Sequence, residues 1–534
     1  MNNPRVLTIE RILPRADRPW LGIAALLVAA ALLGLWQLPE RINHDCAFGL
    51  QQAQMLLDGG IPYCDFIDAN PPLIVYLNVP PAALARYLGG SPIAVFHLSV
   101  LLLLTISSME IHGLLRQPRM GLRAAERGLV LLAWISSYFL VDWYNFAGQR
   151  EHLFMLLYVP YLFLRILRHR GGSTNAWLAA VLGVQAGVGV SLKPHFLLTA
   201  LAVEIVLLAA TRRRRTLMRS ENIALASVVA AYVLHWLFVP AAMREAFFGR
   251  WLPMVCRSYN VYDMTTWQVV RAFLDSPISL LEMMVILMAV ARGAPRHARL
   301  RHYLLAFAAL AGMTLVMAFV QHKGWRYHRL PLDIAGLLCL ALLASTRDRS
   351  SAFNLQRFRA GKAFAVGSLG LLVAVWFAVR TDRAAAVPSF AALRQVVESR
   401  TRPGDRVLVV ATSVYPAYPI LLQTGRRIGS RYAWSFPIAF CYAGCRADGL
   451  DRPAYHRRQE APAEEQQFLR ELEDDVHRLR PQLVIVHDGA GWAGLPAGFN
   501  TFDYLVYSGW TKDALAGYRE SPGPRGWKVF ARTK

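Results

Sequence analysis

The chain has 534 residues, of which 55% are hydrophobic and only 17% are charged, and its mean hydropathy is +0.31. A soluble globular protein carries roughly a quarter charged residues, so this composition excludes that class for most of the chain. The formal net charge of +23 does not indicate nucleic-acid binding. The basic residues lie in short segments between apolar runs, whereas a nucleic-acid interface needs one continuous basic face.

Apolar runs long enough to cross about 30 Å of hydrocarbon as a helix recur from Pro19 to Arg380. We predict about eleven transmembrane helices, near residues 20–38, 92–114, 127–141, 151–167, 175–191, 195–211, 223–240, 272–291, 303–320, 330–346 and 362–380. The first run follows several arginines and resembles a signal peptide. It is long for one and lacks a small-residue cleavage site, which favours an uncleaved helix.

Arginines cluster in alternate segments between these runs, as at Arg116, Arg119 and Arg123 and again at 212–215. The positive-inside rule therefore predicts a cytoplasmic N-terminal segment at 1–19. It also predicts a membrane domain at 20–382 with a first outer loop at 39–91, and an extracytoplasmic domain at 383–534. Residues 70–90 are apolar, but four prolines and Arg86 favour an interfacial helix over a spanning one.

The first outer loop carries acids at both ends of a predicted short amphipathic helix that runs from Phe48 to Leu57. His44 and Asp45 precede the helix, and Asp65 and Asp68 follow the glycine pair at 59–60. Aspartate is a favoured helix cap, so capping is the alternative for Asp65 and Asp68. Asp45 follows a predicted transmembrane helix and adjoins a histidine, so a chemical role is an alternative to capping at this position.

Basic and aromatic residues collect in three later loops on the same predicted face, in GQREH, KPH and KGWRYH. These residues are Arg150, Lys193, His195, Lys323, Arg326, Tyr327 and His328. Arginine suits a bidentate grip on phosphate and lysine supplies a point charge, so the set could hold a phosphate or pyrophosphate. The alternative is that each side chain reaches the lipid headgroups from a helix end. Trp143, Tyr144, Trp325 and Tyr327 fit an interfacial aromatic belt, and stacking on a sugar is the alternative for some of them.

The ordered set of G-x-P-Y-x-D-F, N-P-P-L, GQREH, KPH and KGWRYH after a helix and an outer acid resembles the GT-C glycosyltransferases. The likeness covers about residues 20–345. It is greatest to the branch of protein O-mannosyltransferases and the lipid A aminoarabinose transferase. The resemblance implies transfer of a hexosyl or pentosyl group from a polyprenyl-phosphate donor to an acceptor hydroxyl on a glycan, lipid or protein, with inversion. It also implies a bacterial inner (plasma) membrane.

By the same resemblance, Asp45 takes the place of the catalytic carboxylate, Asp65 and Asp68 are supporting acids, and Arg150, Lys193, Lys323 and Arg326 bind the donor phosphate. His44, His195, Tyr327 and His328 are further candidates. Many relatives have an Asp-Glu pair where this chain has His44–Asp45. No metal ligand set is predicted, since the histidine and aspartate spacings form no closed site, and a divalent cofactor is left open.

The C-terminal domain has the pattern of a soluble α/β fold. DRVLVVAT at 405–412 and PQLVIVHD at 481–488 predict buried strands, and 464–479 predicts an amphipathic helix. Two disulfides are possible, Cys46–Cys64 and Cys441–Cys445, and the sequence alone establishes neither of them. A transporter or flippase of a lipid-linked saccharide is the competing function. It would favour internal repeats and polar residues in mid-membrane, and neither is seen.

Overall fold

The computed structural model describes residues 41–140, 146–344, 388–442, 455–489, 495–496 and 498–533. The predicted helices at 20–38 and 362–380 lie outside these ranges, as do Trp143, Tyr144 and Cys445. Within the first two ranges the chain is almost entirely helical. The helices are α1 His44–Leu57, α2 Leu73–Leu88, α3 Pro92–Leu115, α4 Ala124–Leu140, α5 Arg150–His169, α6 Ala176–Ser191, α7 Pro194–Thr211, α8 Ser220–Leu234, α9 Ala241–Glu245, α10 Leu252–Ser258, α11 Thr266–Leu274, α12 Pro277–Met288, α13 Ala294–Arg296, α14 Arg301–Gln321 and α15 Leu330–Ala344.

Five helical segments in the described ranges are long and apolar enough to cross a membrane. They are Pro92–Leu115, Pro194–Thr211, Ser220–Leu237, Arg301–Gln321 and Arg326–Ala344. A sixth would be the bent pair Thr266–Leu274 and Ile278–Ala291. Helices also occupy the predicted positions 127–141, 151–167 and 175–191. These observations confirm a helical, multi-pass membrane protein.

The predicted continuous span at 272–291 is wrong in one respect, because the helix breaks between Leu274 and Pro277 and turns by 86°. Proline at the start of α12 has no backbone N–H to continue the preceding helix. The Ser276 side chain accepts a hydrogen bond from the Ser279 backbone N–H at 3.3 Å and caps the new helix. A Ser-Pro pair inside an apolar run therefore starts a helix here.

The C-terminal region is α/β, as predicted. Its helices are α16 Pro388–Arg400, α17 Ala417–Gln423, α18 Phe436–Tyr442, α19 Ala463–Leu479, α20 Thr501–Tyr507 and α21 Trp510–Ala514, and its strands are β1 Arg406–Val410, β2 Arg427–Ile428, β3 Leu483–His487, β4 Tyr518–Ser521 and β5 Trp527–Arg532. The sheet order is β2-β1-β3-β5-β4. β1 is parallel to β2 and β3, and β5 is antiparallel to β3 and β4.

The chain packs as two units that are not continuous in sequence. Among the described residues, the first comprises those within 98–231 and 266–344, and the second those within 41–97, 232–265 and 388–533. In the first unit, Gly183 and Gly187 of α6 bring this helix against α8. A Cβ at Gly183 would lie 2.2 Å from the Glu221 carbonyl oxygen, and one at Gly187 would lie 2.7 Å from the Val228 Cβ. Small residues four apart allow this close helix packing.

The second unit joins the first-loop segment, residues 232–265 and the C-terminal sheet through one core. Tyr63, Trp251, Phe436 and Leu469 are buried in it together. The Trp251 indole N–H donates to the Tyr63 carbonyl at 3.0 Å. A backbone bridge pairs Ile67 with Tyr432. The loop that carries the predicted acids is therefore fixed against the α/β fold.

Candidate functional site

Asp45 lies in the first turn of α1, where the sequence predicted a residue just before the helix. Asn43 caps this helix, and its side-chain oxygen accepts a hydrogen bond from the Asp45 backbone N–H at 2.8 Å. The helix begins four residues earlier than its apolar spacing indicated, since the cap precedes the first apolar position. A carboxylate in a first turn is favoured by the partial positive charge of the helix N-terminus.

The Asp45 carboxylate is accessible and adjoins an imidazole. Its Oδ1 lies 3.5 Å from His44 Nε2, and both side chains are 39% exposed. The His44 ring meets the edge of Tyr415, with 6.1 Å between ring centroids. An exposed carboxylate beside an imidazole can accept a proton from a hydroxyl group, provided that the hydroxyl reaches hydrogen-bond distance.

Asp65 and Asp68 make local backbone contacts of the capping kind. Asp65 Oδ2 accepts from the Ile61 backbone N–H at 2.9 Å. Asp68 Oδ1 accepts from the Asn70 backbone N–H at 3.0 Å and from the Asn70 amide at 2.7 Å. These contacts fix the turn after α1. The supporting role of both acids in catalysis stays a prediction.

Three of the later loop motifs meet in the first unit. Lys193 occupies the N-cap position of α7 without a capping hydrogen bond from its side chain, and its Nζ forms an ion pair with Oε1 of Glu151 at the start of α5. His328 Nε2 lies 3.5 Å from Lys193 Nζ and 3.6 Å from Glu151 Oε1. The exposed fractions are 1% for Glu151, 8% for Lys193 and 9% for His328. We call these three residues the Glu151 cluster.

The other predicted residues lie around this cluster with different exposure. His195 is half-buried, and the Gln321 side-chain amide lies 3.3 Å from its ring nitrogens. Tyr327 packs with its ring centroid 5.3 Å from Lys193 Nζ. Of the remaining predicted phosphate ligands, Arg150 is half-buried, Lys323 is buried and Arg326 is exposed.

The sequence patterns singled out neither Glu151, which belongs to the cluster, nor Gln321, which contacts His195 beside it. Glu151 lies within the GQREH motif, in which only the arginine was predicted to have a role. The signal was an acid in a predicted apolar helix, which needs a partner because an unpaired buried charge is costly. The pairing with Lys193 spans 42 positions, so only the folded chain reveals it.

No group of three histidine, cysteine, aspartate or glutamate residues in the described ranges is arranged to hold a metal ion. Cys46 and Cys64 are not joined in a disulfide. The second possible disulfide, Cys441–Cys445, lies outside the described residues because Cys445 is not among them.

Comparison with solved structures identifies the fold. ArnT from Cupriavidus metallidurans bound to undecaprenyl phosphate matches with a TM-score of 0.59 and 12% identity, over 96% of this chain and 98% of that chain. Its apo structure matches with a TM-score of 0.58 and 13% identity, over 97% and 98%. The arabinofuranosyltransferase AftD from Mycobacteria gives a TM-score of 0.46 and 16% identity, over 96% of this chain and 41% of that one.

No protein-family model matches the sequence, and no curated protein matches it. The structural likeness to ArnT extends over nearly the whole of both chains, including the α/β region. This chain therefore shares its fold with ArnT, in agreement with the fold that its ordered motifs predicted.

Proposed function

We propose that this protein is a membrane glycosyltransferase that uses a polyprenyl-phosphate sugar. The observation that carries the proposal is the fold shared along the full chain with ArnT, whose solved structure holds undecaprenyl phosphate. The motifs that suggested this class are spread over the same length. The accessible Asp45 carboxylate is consistent with the predicted chemistry.

In the proposed reaction an acceptor hydroxyl attacks the anomeric carbon of the donor sugar. The bond between that carbon and the phosphate oxygen breaks, and the polyprenyl phosphate leaves with the electron pair. Asp45 takes the proton of the attacking hydroxyl, and attack from the opposite face inverts the anomeric centre. Positioned carboxylates contribute about 10²–10⁴-fold through such proton transfer.

Arg150, Lys323 and Arg326 are the proposed ligands of the donor phosphate, because cationic groups stabilise the departing charge. Lys193 needs a narrower role than the sequence suggested. Its ammonium is already paired with Glu151. In this proposal Lys193 therefore orients the loop ends, and the three arginine and lysine side chains named above neutralise most of the phosphate charge.

We also propose the topology implied by the arginine bias, with about eleven spans and the C-terminal domain outside the cytoplasm of a bacterial inner membrane. A C-terminal alkaline phosphatase fusion is then active, and a C-terminal green fluorescent protein fusion is dark. The reverse pair of signals would place the domain inside and refute the topology.

The test of function is sugar transfer in nanodiscs that contain the purified protein, a panel of radiolabelled polyprenyl-phosphate sugars and extracted envelope glycans and lipids. We expect one donor to label an acceptor and to release free polyprenyl phosphate in equal amount. Movement of a labelled donor across liposomes without transfer would instead establish the competing transporter function.

A further inference from the structure

A basic cavity lies within the second unit, and of the predicted site residues only Asp65 lines it. Its volume is about 560 Å³, which is within the range of small-ligand sites. The end of α1, the amino ends of β1 and β2 and the end of α19 line it. Five arginines contribute to its wall: Arg86, Arg406, Arg426, Arg427 and Arg478.

Two of these arginines are balanced by carboxylates. Arg86 Nη2 donates to Asp58 Oδ1 at 2.7 Å. Arg478 Nη2 lies 3.3 Å from Asp475 Oδ1, and its Nη1 lies 3.9 Å from Asp65 Oδ1. The other three guanidinium groups belong to Arg406, Arg426 and Arg427.

Arg426 is held by neutral acceptors. Its Nε donates to the Thr401 hydroxyl at 2.9 Å and its Nη2 to the Thr401 carbonyl at 2.5 Å, while Nη1 donates to the Thr424 carbonyl. These bonds fix the side chain without neutralising its charge. Arg426 therefore adds positive potential to the wall of the cavity.

Arg406 and Arg427 are direct cross-strand partners at the start of β1 and β2. Like charges opposite each other destabilise a sheet. Arg406 Nη1 donates to the Ile428 carbonyl at 3.1 Å. Arg427 Nη1 forms a long ion pair with Asp58 Oδ2 at 4.0 Å, beyond hydrogen-bond distance, and Asp58 also pairs with Arg86, so one carboxylate faces two guanidinium groups. Burial and the like charges of Arg427 and Arg478 lower the pKa of Arg406. A bound anion would relieve this repulsion.

The cavity is distinct from the Asp45 region. Asp58, which lines it, follows the C-terminal end of α1, whereas Asp45 is at the other end. Thirteen residues of helix separate them by about 20 Å. Next to Arg86, the end of α2 exposes Leu84, Tyr87 and Leu88. Exposed apolar side chains at this point suit a ligand that lies at a membrane surface.

We propose that this cavity binds a phosphate ester or pyrophosphate group, held between the guanidinium groups of Arg406 and Arg427. Arginine forms bidentate hydrogen bonds to phosphate, and two adjacent arginines match a group with two or more negative charges. The phosphate can belong to a lipid headgroup or to a soluble sugar phosphate. Binding does not depend on the proposed transfer reaction.

The test is calorimetric titration of the full chain, in nanodiscs of phosphatidylcholine, with pyrophosphate. We expect saturable binding that weakens at least tenfold in Arg406→Gln and in Arg427→Gln. Arg427→Lys, which keeps the charge but not the bidentate geometry, should lie between them and the native protein. Arg519→Gln removes an exposed arginine from β4 of the same sheet and should bind as the native protein does.

Asp45→Asn separates this proposal from the proposed function, since it should abolish transfer and retain pyrophosphate binding. A second series uses nanodiscs with phosphatidic acid. Competition with pyrophosphate there would support a lipid headgroup as the source of the phosphate, and undiminished binding would support a soluble phosphate ester. The proposal is overturned if native protein fails to bind millimolar pyrophosphate, or if both glutamine variants bind it as tightly as native protein.

Discussion

Two sets of charged side chains, one in each unit of this protein, occupy opposite environments. In the first unit, Glu151 is 1% exposed and Lys193 8%, and they neutralise each other. In the second unit, Arg427 has a side chain that is 59% exposed and stands beside Arg406 in the same cavity. A buried pair of this kind holds helix ends together, whereas accessible excess charge leaves donors for a ligand. Residue type alone does not distinguish the two uses.

The largest effect on stability should come from breaking the Glu151 cluster. Glu151→Ala leaves the Lys193 ammonium buried without its carboxylate, which we expect to cost about 3–5 kcal/mol in the free energy of unfolding. Thermal unfolding in detergent measures it, and Lys193→Met in the same background should recover part of the loss.

The matched control is an exposed pair in the same unit. Arg271 and Asp275 are 3.2 Å apart with side chains 69% and 65% exposed, so Asp275→Ala should cost at most about 0.5 kcal/mol. Equal losses from the two variants would mean that burial does not decide the strength of these pairs.

An intermediate effect should come from Glu471, whose carboxylate receives both Nη groups of Arg250 at 2.5 and 2.9 Å. Burial raises the pKa of Glu471, but the hydrogen bonds from Arg250 and Tyr432 outweigh burial and lower it below 4.5. Its contribution is therefore complete above about pH 4.5 and is lost as pH falls through the folded pKa.

We expect Glu471→Gln to lower the free energy of unfolding at pH 7 by about 1.5–3 kcal/mol. The unfolding free energies of native protein and variant should converge as pH falls through the folded pKa of Glu471, which lies below the ordinary value of a glutamate. A constant difference between them at all pH values would show that packing, and not the ionised carboxylate, is responsible.

The smallest effect should have the opposite sign. Arg406→Gln removes one of two like charges in direct cross-strand register, which we expect to stabilise the protein by about 0.2–1 kcal/mol without ligand. The melting temperature in phosphate-free buffer measures this gain. Destabilisation by this variant would mean that its bond to the Ile428 carbonyl outweighs the repulsion from Arg427.

The sequence predicted elements whose signal is local. The apolar runs that became β1 and β3 and the amphipathic pattern of α19 were identified nearly to their ends, because each is a continuous segment with polar boundaries. The end of α1 also has a local signal, because a glycine pair follows it and Gly59 has a φ of +89°, which favours glycine after a helix.

The sequence could not predict pairings between distant positions. Arg165 is fully buried and donates to Glu204 and Glu221, 39 and 56 positions away, and no local pattern indicates these pairs. The cross-strand register of Arg406 and Arg427 was equally hidden, since β2 has only two residues and no apolar run announces it. Such sites depend on packing, which composition and spacing do not encode.

Asp45 is proposed to act as the base in sugar transfer, and the most direct test compares transfer rates of Asp45→Asn and Asp275→Asn at matched expression. Asp275 is the control because its carboxylate is 65% exposed, pairs with Arg271 one helical turn away and belongs to no proposed site. We predict that Asp45→Asn lowers the rate by about 10²–10⁴-fold with an unchanged melting temperature, and that Asp275→Asn changes the rate less than tenfold. Native-like transfer by Asp45→Asn would contradict the assignment of this residue as the base.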